Sequence, residues 1–394
     1  MRYEFFVSFR YLLAKRKEKF VSIISLISVL GVAVGVCALI VVIGVMAGFD
    51  NDLRDKIVGT NSHLVIEKEG GIEDAPAVIE RIKVIPHIVT ASPFLNGQVL
   101  IKVKDETDSI ILRGIVPNEE IKVTRIGEYV KKGSIEDLKG EGILIGSEMA
   151  DRFNLNISDL IPIFSPLDGE VKDFRVVGIF NSGMYDYDLN LAFVDLKKAQ
   201  ELFGAGTMVG GIGVKIDDVF LAQDLKVKIQ RELGFPYWVR SWMDLNRSLF
   251  SALKLEKLAM FIILTLIIIV ACFNIVSTLI MVVMEKTKDI GILKSIGATN
   301  RSIMAIFTLE GFLIGAFGTV LGLAGGLGLS YLLEKYQFIQ LPRDIYYIDR
   351  FPVDVQLGDT TAIVLAALTI SLLSCIYPAW QASRLNPVDA LRYE

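Results

Sequence analysis

Four long apolar stretches constrain this chain more than any other feature of its sequence. They cover residues 20–47, 258–284, 303–333 and 360–380. A helix of about 20 apolar residues crosses a hydrocarbon layer about 30 Å thick, so each stretch predicts a membrane span. The first is much longer than the apolar part of a cleavable signal peptide, about 7–15 residues. We therefore predict that it stays in the membrane, although Val45, Met46 and Ala47 loosely resemble a cleavage site.

Basic residues precede the first span, and short positively charged segments stay in the cytoplasm. These residues are Arg2, Arg10, Lys15, Arg16, Lys17 and Lys19. Four crossings then place both termini in the cytoplasm. The predicted order is cytoplasmic segment 1–19, span 20–47, outer domain 48–257, span 258–284, cytoplasmic loop 285–302, span 303–333, outer loop 334–359, span 360–380 and cytoplasmic tail 381–394.

The outer domain alternates strand-like and helix-like segments. Residues 63–68 have the pattern of a strand, and residues 77–85 have that of a helix. Further strands are indicated between about 110 and 183, where we expect an inserted strand-rich lobe. The fold class predicted for the whole chain is therefore four transmembrane helices with a large α+β domain.

The third span carries a stripe of glycines. Their spacings of 4, 3, 4 and 4 place them on one helix face, where a neighbouring helix can approach closely. These residues are Gly311, Gly315, Gly318, Gly322 and Gly326. We predict that they form a helix-packing surface.

The cytoplasmic loop is basic and patterned. Ile290, Leu293 and Ile296 recur at helical spacing, and Gly291 and Gly297 leave little side chain beside them. This pattern predicts a short helix that docks a cytosolic protein, with an ordinary tight loop as the alternative.

The sequence lacks the usual signatures of catalysis and metal binding. It contains no G-x-x-x-x-G-K-[ST], H-E-x-x-H or G-x-S-x-G motif, and its net charge of −4 gives no nucleic-acid signal. The three cysteines fall within spans, so we expect an outer domain without disulfides or a metal site. Apart from Asn274, we expect no strongly polar group in the middle of a span, which argues against a secondary transporter. We predict no catalytic residue, metal or cofactor on this chain.

Several longer motifs carry a resemblance to known permeases. The order of spans and the loop sequence DIGILKSIGAT resemble permeases of the MacB/FtsX superfamily, which transmit the motion of a separate ATPase. Three further segments are similar to the lipoprotein-releasing LolC/LolE permeases. These are SGMYDYD at 182–188, LPRDIYYIDRFPV at 341–353 and YPAWQASRLNPVDALRYE at 377–394.

The resemblance implies a MacB-like periplasmic domain and a complex in the bacterial inner membrane. Two permease subunits, this chain with a second copy or a paralogue, would bind two copies of the ATPase LolD, which uses the ATP and Mg²⁺. The complex would take triacylated lipoproteins from the outer leaflet and pass them to the periplasmic chaperone LolA. The alternatives are export of peptides or macrolides, or regulation of a cell-wall hydrolase, by another MacB/FtsX-type permease.

The resemblance also implies three sets of site residues. ATPase docking is expected at Lys288, Ile290, Gly291, Leu293, Lys294, Gly297 and Ala298. Lipoprotein binding is expected at the outer ends of the first two spans and in the last outer loop, at Val42, Met46, Phe49, Leu53, Leu258, Phe261, Ile262, Tyr347, Ile348 and Phe351. Chaperone docking is expected at Pro166, Leu167, Asp168 and Gly169, in a segment shorter and more acidic than the hook of the family.

Overall fold

The computed structural model describes residues 2–13, 19–103, 106–167, 169–336 and 352–386. The chain divides into two compact units. The helical unit comprises the described parts of Met1–Asp50, Leu253–Ile339 and Phe351–Glu394. The sheet unit comprises the described parts of Asn51–Ala252.

Long helices carry all the apolar stretches. They and their short neighbours are α1 Arg2–Leu13, α2 Lys19–Thr60, α11 Arg247–Glu285, α12 Thr287–Ser295, α13 Asn300–Tyr336 and α14 Leu357–Ser383. Among the described residues, four helices are long and apolar enough to cross a membrane: α2, α11, α13 and α14. The predicted fold class of four spans with an α+β domain is confirmed.

The first two spanning helices are longer than their apolar stretches. With 42 residues, α2 is on the order of 60 Å long, about twice the thickness of a bilayer core. Its last residues, 51–60, belong to the sheet unit, as do the first residues of α11, 247–252. Each helix therefore continues as a stalk beyond the apolar stretch.

The sheet unit is built on a mixed sheet. Its strands are β1 Leu64–Ile72, β2 Ile88–Val103, β3 Glu106–Ile115, β4 Val130–Gly133, β5 Gly142–Gly146, β6 Leu160–Phe164, β7 Val171–Phe180, β8 Leu191–Asp195, β9 Val209–Ile216 and β10 Tyr237–Ser241. In the described part of the chain the order is β10-β1-β9-β2-β3-β8-β5-β7-β4, with β6 pairing to β2 and β7. The strands predicted between 110 and 183 are thus continuous with the rest of the sheet.

Short helices connect these strands. They are α3 Ala75–Lys83, α4 Pro117–Val123, α5 Ile126–Tyr129, α6 Ser147–Phe153, α7 Tyr185–Asn190, α8 Leu196–Phe203, α9 Ala222–Leu233 and α10 Trp242–Leu245, with 3₁₀ turns at Ile135–Asp137 and Val219–Leu221. Apolar residues on alternate positions of the strands form the core with α6 and α8, as Ile101, Ile145, Phe174 and Leu202 do.

In the helical unit, the glycine stripe on α13 packs mainly against α14 and α2, and Gly311 also lies against Leu279 of α11. Gly311 and Gly315 lie against α14, and the next three glycines lie against α2. The pairs are Gly311 with Cys375, Gly315 with Ser371, Gly318 with Val32, Gly322 with Val36 and Gly326 with Ile40. One stripe therefore packs α13 against both the first and the fourth span.

Polar side chains join the N-terminal half of α2 to the C-terminal half of α11. The hydroxyls of Ser28 and Thr278 share a buried hydrogen bond. A Cβ atom on Gly31 would lie 2.8 Å from the side-chain nitrogen of Asn274, so this amide packs directly on the α2 backbone. Asn274 therefore lies at a helix contact.

A buried carboxylate on α13 is a second strongly polar group within a predicted span, nearer the span's start than its middle. Glu310 is only 3% exposed and lies ten residues from the start of α13, about 15 Å along it. Its neighbour Gly311 packs against α14. Glu310 is the one charged residue in the apolar stretch 303–333, and the sequence analysis did not single it out.

Candidate functional site

The short helix α12, which connects α11 to α13, buries most of its predicted docking stripe within its own chain. Ile290 and Gly291 are buried, and Leu293 and Ala298 pack against the same cluster. This cluster combines side chains from four helices: Val282 and Val283 of α11, Ile290 of α12, Ile303, Ile306 and Phe307 of α13, and Ala379 and Ala382 of α14. Ile290, Leu293 and Ala298 therefore help to hold α12 on the helical unit, and Leu293 and Ala298 stay partly exposed. The contact of these residues with an ATPase stays a prediction.

Lys294 is also engaged within the chain. Its Nζ donates hydrogen bonds to the carbonyl oxygens of Ser383 and Leu385, each at 2.7 Å. These carbonyls lie at the carboxyl end of α14, where helical carbonyls lack intrahelical partners. Burial lowers the pKa of the Lys294 ammonium. Lys294 therefore lies at a helix end and not on an open docking surface.

The opposite face of α12 is open. Lys288, Ile292 and Ile296 recur every four residues and are exposed, with Ile296 80% exposed. Gly297 follows with a φ of +106° that turns the chain toward α13. We call Lys288, Ile292, Ile296 and Gly297 the docking face, because this side of α12 is open to the predicted contact with an ATPase. Sequence reasoning missed Ile292, although its spacing of four from Lys288 and Ile296 could have indicated a second face.

An apolar cavity of about 220 Å³ lies among α2, α11 and α14. Apart from Ser371, its lining side chains are aliphatic or small. Representative lining residues are Leu39 and Ile43 of α2, Ile267 and Ala271 of α11, and Ala366 of α14. We call this space the membrane cavity. It lies next to the Gly31–Asn274 contact along α2 and α11, since Gly35 and Ile275 also line it.

The residues predicted to bind lipoprotein do not line this cavity. Val42, Met46 and Phe49 are partly buried on α2. Val42 is next to the lining residue Ile43, and Met46 and Phe49 lie about one and two turns beyond it. On α11, Leu258, Phe261 and Ile262 are 55%, 67% and 52% exposed, so the chain itself leaves this outer surface open. Leu53 is buried in the sheet unit. Tyr347, Ile348 and Phe351 lie outside the described residues.

An ion pair bridges the two spans at this outer end. Lys257 Nζ lies 2.8 Å from Asp50 Oδ2, beside Phe49 and Leu258 in the sequence. On α2, Gly44 accepts a hydrogen bond of 2.8 Å from the backbone nitrogen of Asp354. The segment that precedes α14 therefore packs along α2 through a backbone hydrogen bond. The helix α11 contacts α2 through the Lys257–Asp50 ion pair.

In the sheet unit, the two stalks enter through neighbouring strands. Leu64 of β1, which follows α2, pairs with Ser241 of β10, which precedes α11. The backbone nitrogen of Trp242 donates to the carbonyl of His63 at 3.0 Å. Ser241 and Asp244 form a capping box at α10, and Lys226 binds Asp244 at 2.8 Å. The two stalks are therefore connected through adjacent, hydrogen-bonded strands.

The SGMYDYD segment fixes the end of the α2 stalk. Asn61 donates to the hydroxyl of Tyr187 at 2.9 Å, and Lys56 lies against Gly183. Asp188 is buried and accepts hydrogen bonds from the backbone nitrogen and hydroxyl of Ser182 at 2.9 and 2.8 Å. Burial raises the pKa of the Asp188 carboxyl to about 6. This segment thus has a structural role that the sequence did not indicate.

The predicted chaperone segment forms a tight turn between β6 and β7. The side chain of Leu167 is largely exposed and packs against Gly204 at the end of α8. Gly169, with a φ of +72°, donates to the carbonyl of Ser165 at 3.0 Å. Pro166 lies in this turn, and Asp168 lies outside the described residues. The turn is short, and its role in chaperone docking stays a prediction.

Two family models together cover most of the chain. Residues 25–232 match the MacB-like periplasmic core domain, and residues 261–387 match the FtsX-like permease C-terminal family. The first match spans the α2 stalk and most of the sheet, and the second spans α12 and the last two spanning helices.

Three relatives match over nearly the whole length. The lipoprotein-releasing system transmembrane protein LolC of Xylella fastidiosa is 35% identical, with 98% of each chain covered. LolC of Neisseria meningitidis is 35% identical over 99% of each chain. The transmembrane protein LolE of the same system in Haemophilus influenzae is 30% identical, again over 99% of each chain.

Proposed function

This chain belongs to the LolC/LolE family of lipoprotein-releasing transmembrane proteins, and we propose that it is the permease subunit of an ATP-driven lipoprotein-releasing complex. The complex would extract triacylated lipoproteins from the outer leaflet of the inner membrane and pass them to a periplasmic chaperone of the LolA type. The observation that carries this proposal is the match to LolC over 98% of both chains. The match to the FtsX-like permease family supports a role as a transport subunit.

The physical problem in this reaction is to carry acyl chains without exposing them to water. Burial stabilises each methylene by about 0.8 kcal/mol, so three chains of about 15 methylenes would cost about 36 kcal/mol to expose. No single protein conformational step supplies that energy, so the cargo must pass from lipid into an apolar protein surface. The membrane cavity and the exposed outer face of α11 are apolar surfaces of this kind.

The size of the membrane cavity bears on the number of subunits. At about 220 Å³ it is smaller than a typical pocket for a drug-sized ligand, roughly 300–1,000 Å³. Three acyl chains therefore need more enclosure than this one chain provides. We infer that a second permease, either a copy or a paralogue, covers the exposed outer face of α11, which carries Leu258, Phe261 and Ile262.

The energy of ATP hydrolysis would reach the permease through the docking face. Its exposed Ile292 and Ile296 suit a groove on a LolD-type ATPase, with two ATPase copies for two permeases. ATP and Mg²⁺ would be bound by that partner. This assignment requires α12 and both termini to be cytoplasmic and the sheet unit to be periplasmic, as the basic residues before the first span predict.

The proposal is tested by reconstituting the permease with its ATPase in vesicles that contain a triacylated lipoprotein. ATP should release the lipoprotein to a soluble chaperone, and a non-hydrolysable analogue should not. Photo-crosslinking residues at Met46, Phe49 and Ala271 would locate the cargo during the cycle. Capture of lipoprotein at these sites before ATP is added, and its loss afterwards, is the expected result. Capture of phospholipid alone, without release, would favour a permease that regulates another protein.

A further inference from the structure

The contact between Lys294 and the end of α14 has a consequence for how force moves through the permease. α12 is held to the helical unit in two ways. Ile290 is fully buried in a cluster shared with α11, α13 and α14, and Lys294 reaches past this cluster to α14. The two residues lie four positions apart and hold the same side of the helix.

The chemistry of the Lys294 contact is that of a helix cap. The last carbonyls of a helix carry partial negative charge and lack intrahelical donors, so a cation there is stabilising. The ammonium has three donors and uses two of them on Ser383 and Leu385. Among the described residues its hydrogen-bond acceptors are these two carbonyls and no carboxylate, so the carboxyl end of α14 holds this partly buried charge. Leu385 also packs against the shared apolar cluster.

The other cations near α12 do not make this contact. Lys286 pairs with Asp289 at 3.1 Å within the same loop. Lys288 is exposed on the docking face. Arg384, at the end of α14, stacks over the ring of Trp380 at 4.1 Å. Lys294 is thus placed to join the side of α12 opposite the docking face to the fourth span.

From this geometry we propose that Lys294 is a positioning residue that clamps α12 to the carboxyl end of α14, so that movement of α12 carries the fourth span with it. The inference rests on the proposed function, because it assumes that an ATPase moves α12. From α14 the movement continues to α13, since Cys375 and Ser371 lie directly on Gly311 and Gly315. Lys294 therefore acts between the docking face and the membrane helices and does not itself contact the ATPase.

The first test compares Lys294→Met with Lys294→Arg in the complete complex. Methionine keeps an unbranched apolar stem without the charge, whereas arginine keeps a cation with several donors. Lys254→Met removes an exposed lysine elsewhere and serves as the matched control. The measurements are ATPase binding, ATP hydrolysis and release of a fluorescent triacylated lipoprotein from phosphatidylethanolamine–phosphatidylglycerol vesicles to the chaperone.

We expect Lys294→Met to change only the coupling of ATP hydrolysis to lipoprotein release. Lys294→Met should bind the ATPase and hydrolyse ATP but release fewer lipoproteins per ATP, by roughly fivefold or more, as for a typical coupling energy between sites. Lys294→Arg should restore most of the release. Unchanged release per ATP in the methionine variant would overturn the clamp. Loss of ATPase binding in both variants would also overturn it, because Lys294 would then be a docking residue.

A second measurement is independent of cargo. Spin labels at Ser295→Cys and Gln381→Cys, both exposed positions, report the distance between α12 and α14 once the three native cysteines are replaced. In the otherwise unmodified complex this distance should stay the same with and without ATP, and in Lys294→Met it should change or broaden. A distance that already changes with ATP when Lys294 is present would refute the clamp. If the complex with Lys294 intact releases no lipoprotein, the proposed function fails, while the spin-label distance still decides the clamp.

Discussion

Gly322 of α13 faces Val36 of α2 so closely that a Cβ atom on the glycine would lie 2.7 Å from the valine Cβ. The same atom would lie 2.6 Å from the carbonyl oxygen of Ala33. A backbone atom cannot rotate away as a side chain can, so this contact requires a residue without a side chain. Gly322 therefore sets the distance between the first and third spans.

Gly322→Ala should destabilise the permease, because α13 must shift away from α2. Overpacking of this kind costs about 1–3 kcal/mol. Gly328→Ala is the matched control on the same helix, since nothing lies within 4 Å of its added Cβ. There the higher helix propensity of alanine should leave stability unchanged or slightly increased. Thermal unfolding in detergent, followed by size-exclusion chromatography, measures both variants. Equal midpoints for the two would contradict the close contact.

The glycine stripe also shows how far sequence reasoning reaches. A spacing of three and four residues predicts one close-packed face and does not say which helix covers it. Here α14 covers Gly311 and Gly315, and α2 covers the three later glycines. Helix spacing is local information, whereas the choice of neighbour depends on how all four spans pack.

The pattern of α12 likewise predicted a contact surface without showing which side of the helix stays open. An apolar stripe on a helix at a membrane surface was taken as a docking site, yet a helix first buries such a stripe against its own chain. Ile290 does this, whereas Ile296 of the same stripe and Ile292 are exposed. The burial of Glu310, the membrane cavity and the role of Tyr187 were not predicted, because each depends on contacts between residues that are distant in sequence.

Ile296→Glu should weaken ATPase binding without unfolding the permease. Ile296 is 80% exposed, so its replacement removes no core contact. A charge in the centre of an apolar interface should lower affinity about tenfold or more. Co-purification and ATPase stimulation measure the loss.

Ile290→Ala is the contrasting variant on the same helix. Because Ile290 is fully buried, its truncation should lower stability by about 2–5 kcal/mol and so reduce folded protein in the membrane. If Ile296→Glu bound the ATPase normally, the docking face would have to lie elsewhere on the cytoplasmic side.

Stability of the sheet unit should respond to pH through two buried groups with opposite signs. Burial raises the pKa of Asp188 from 3.8 to about 6, so the folded state holds this proton more tightly. Its contribution is present below about pH 4 and is lost as the pH rises through about 6, on the order of 3 kcal/mol at most. Burial lowers the pKa of His63 from 6.5 to about 4, so its contribution is present above about pH 6.5 and is lost as the pH falls toward 4.

Asp188→Asn separates these two effects. Asparagine can still accept the hydrogen bond from the Ser182 backbone but cannot ionise. Between about pH 4 and 6.5 the original chain should show a nearly flat stability profile, because the two contributions compensate. The variant should gain stability as the pH rises, through His63. Thermal unfolding across this range measures both, and parallel profiles would show that Asp188 does not titrate as its burial requires.

The last prediction concerns the outer ends of the first two spans. Lys257 is 70% exposed in its ion pair with Asp50, so this pair should contribute little to stability, and Asp50→Asn should change it by less than about 1 kcal/mol. A covalent bridge at the same two positions should have a larger effect than the ion pair. If lipoprotein enters between α2 and α11, a short cross-linker joining Asp50→Cys to Lys257→Cys should stop release while ATP hydrolysis continues. Cleaving the cross-link should restore release.

The control for that cross-link lies on the same two helices. Ser28 and Thr278 already share a hydrogen bond in a close-packed region, so a bridge between cysteines there fixes a contact that need not open. Release should therefore survive it. If both bridges stopped release, the two helices would have to separate along their whole length, and the outer end would not be a specific entrance. If neither did, the cargo would not pass between α2 and α11, and the exposed face of α11 would have to serve a second permease subunit alone.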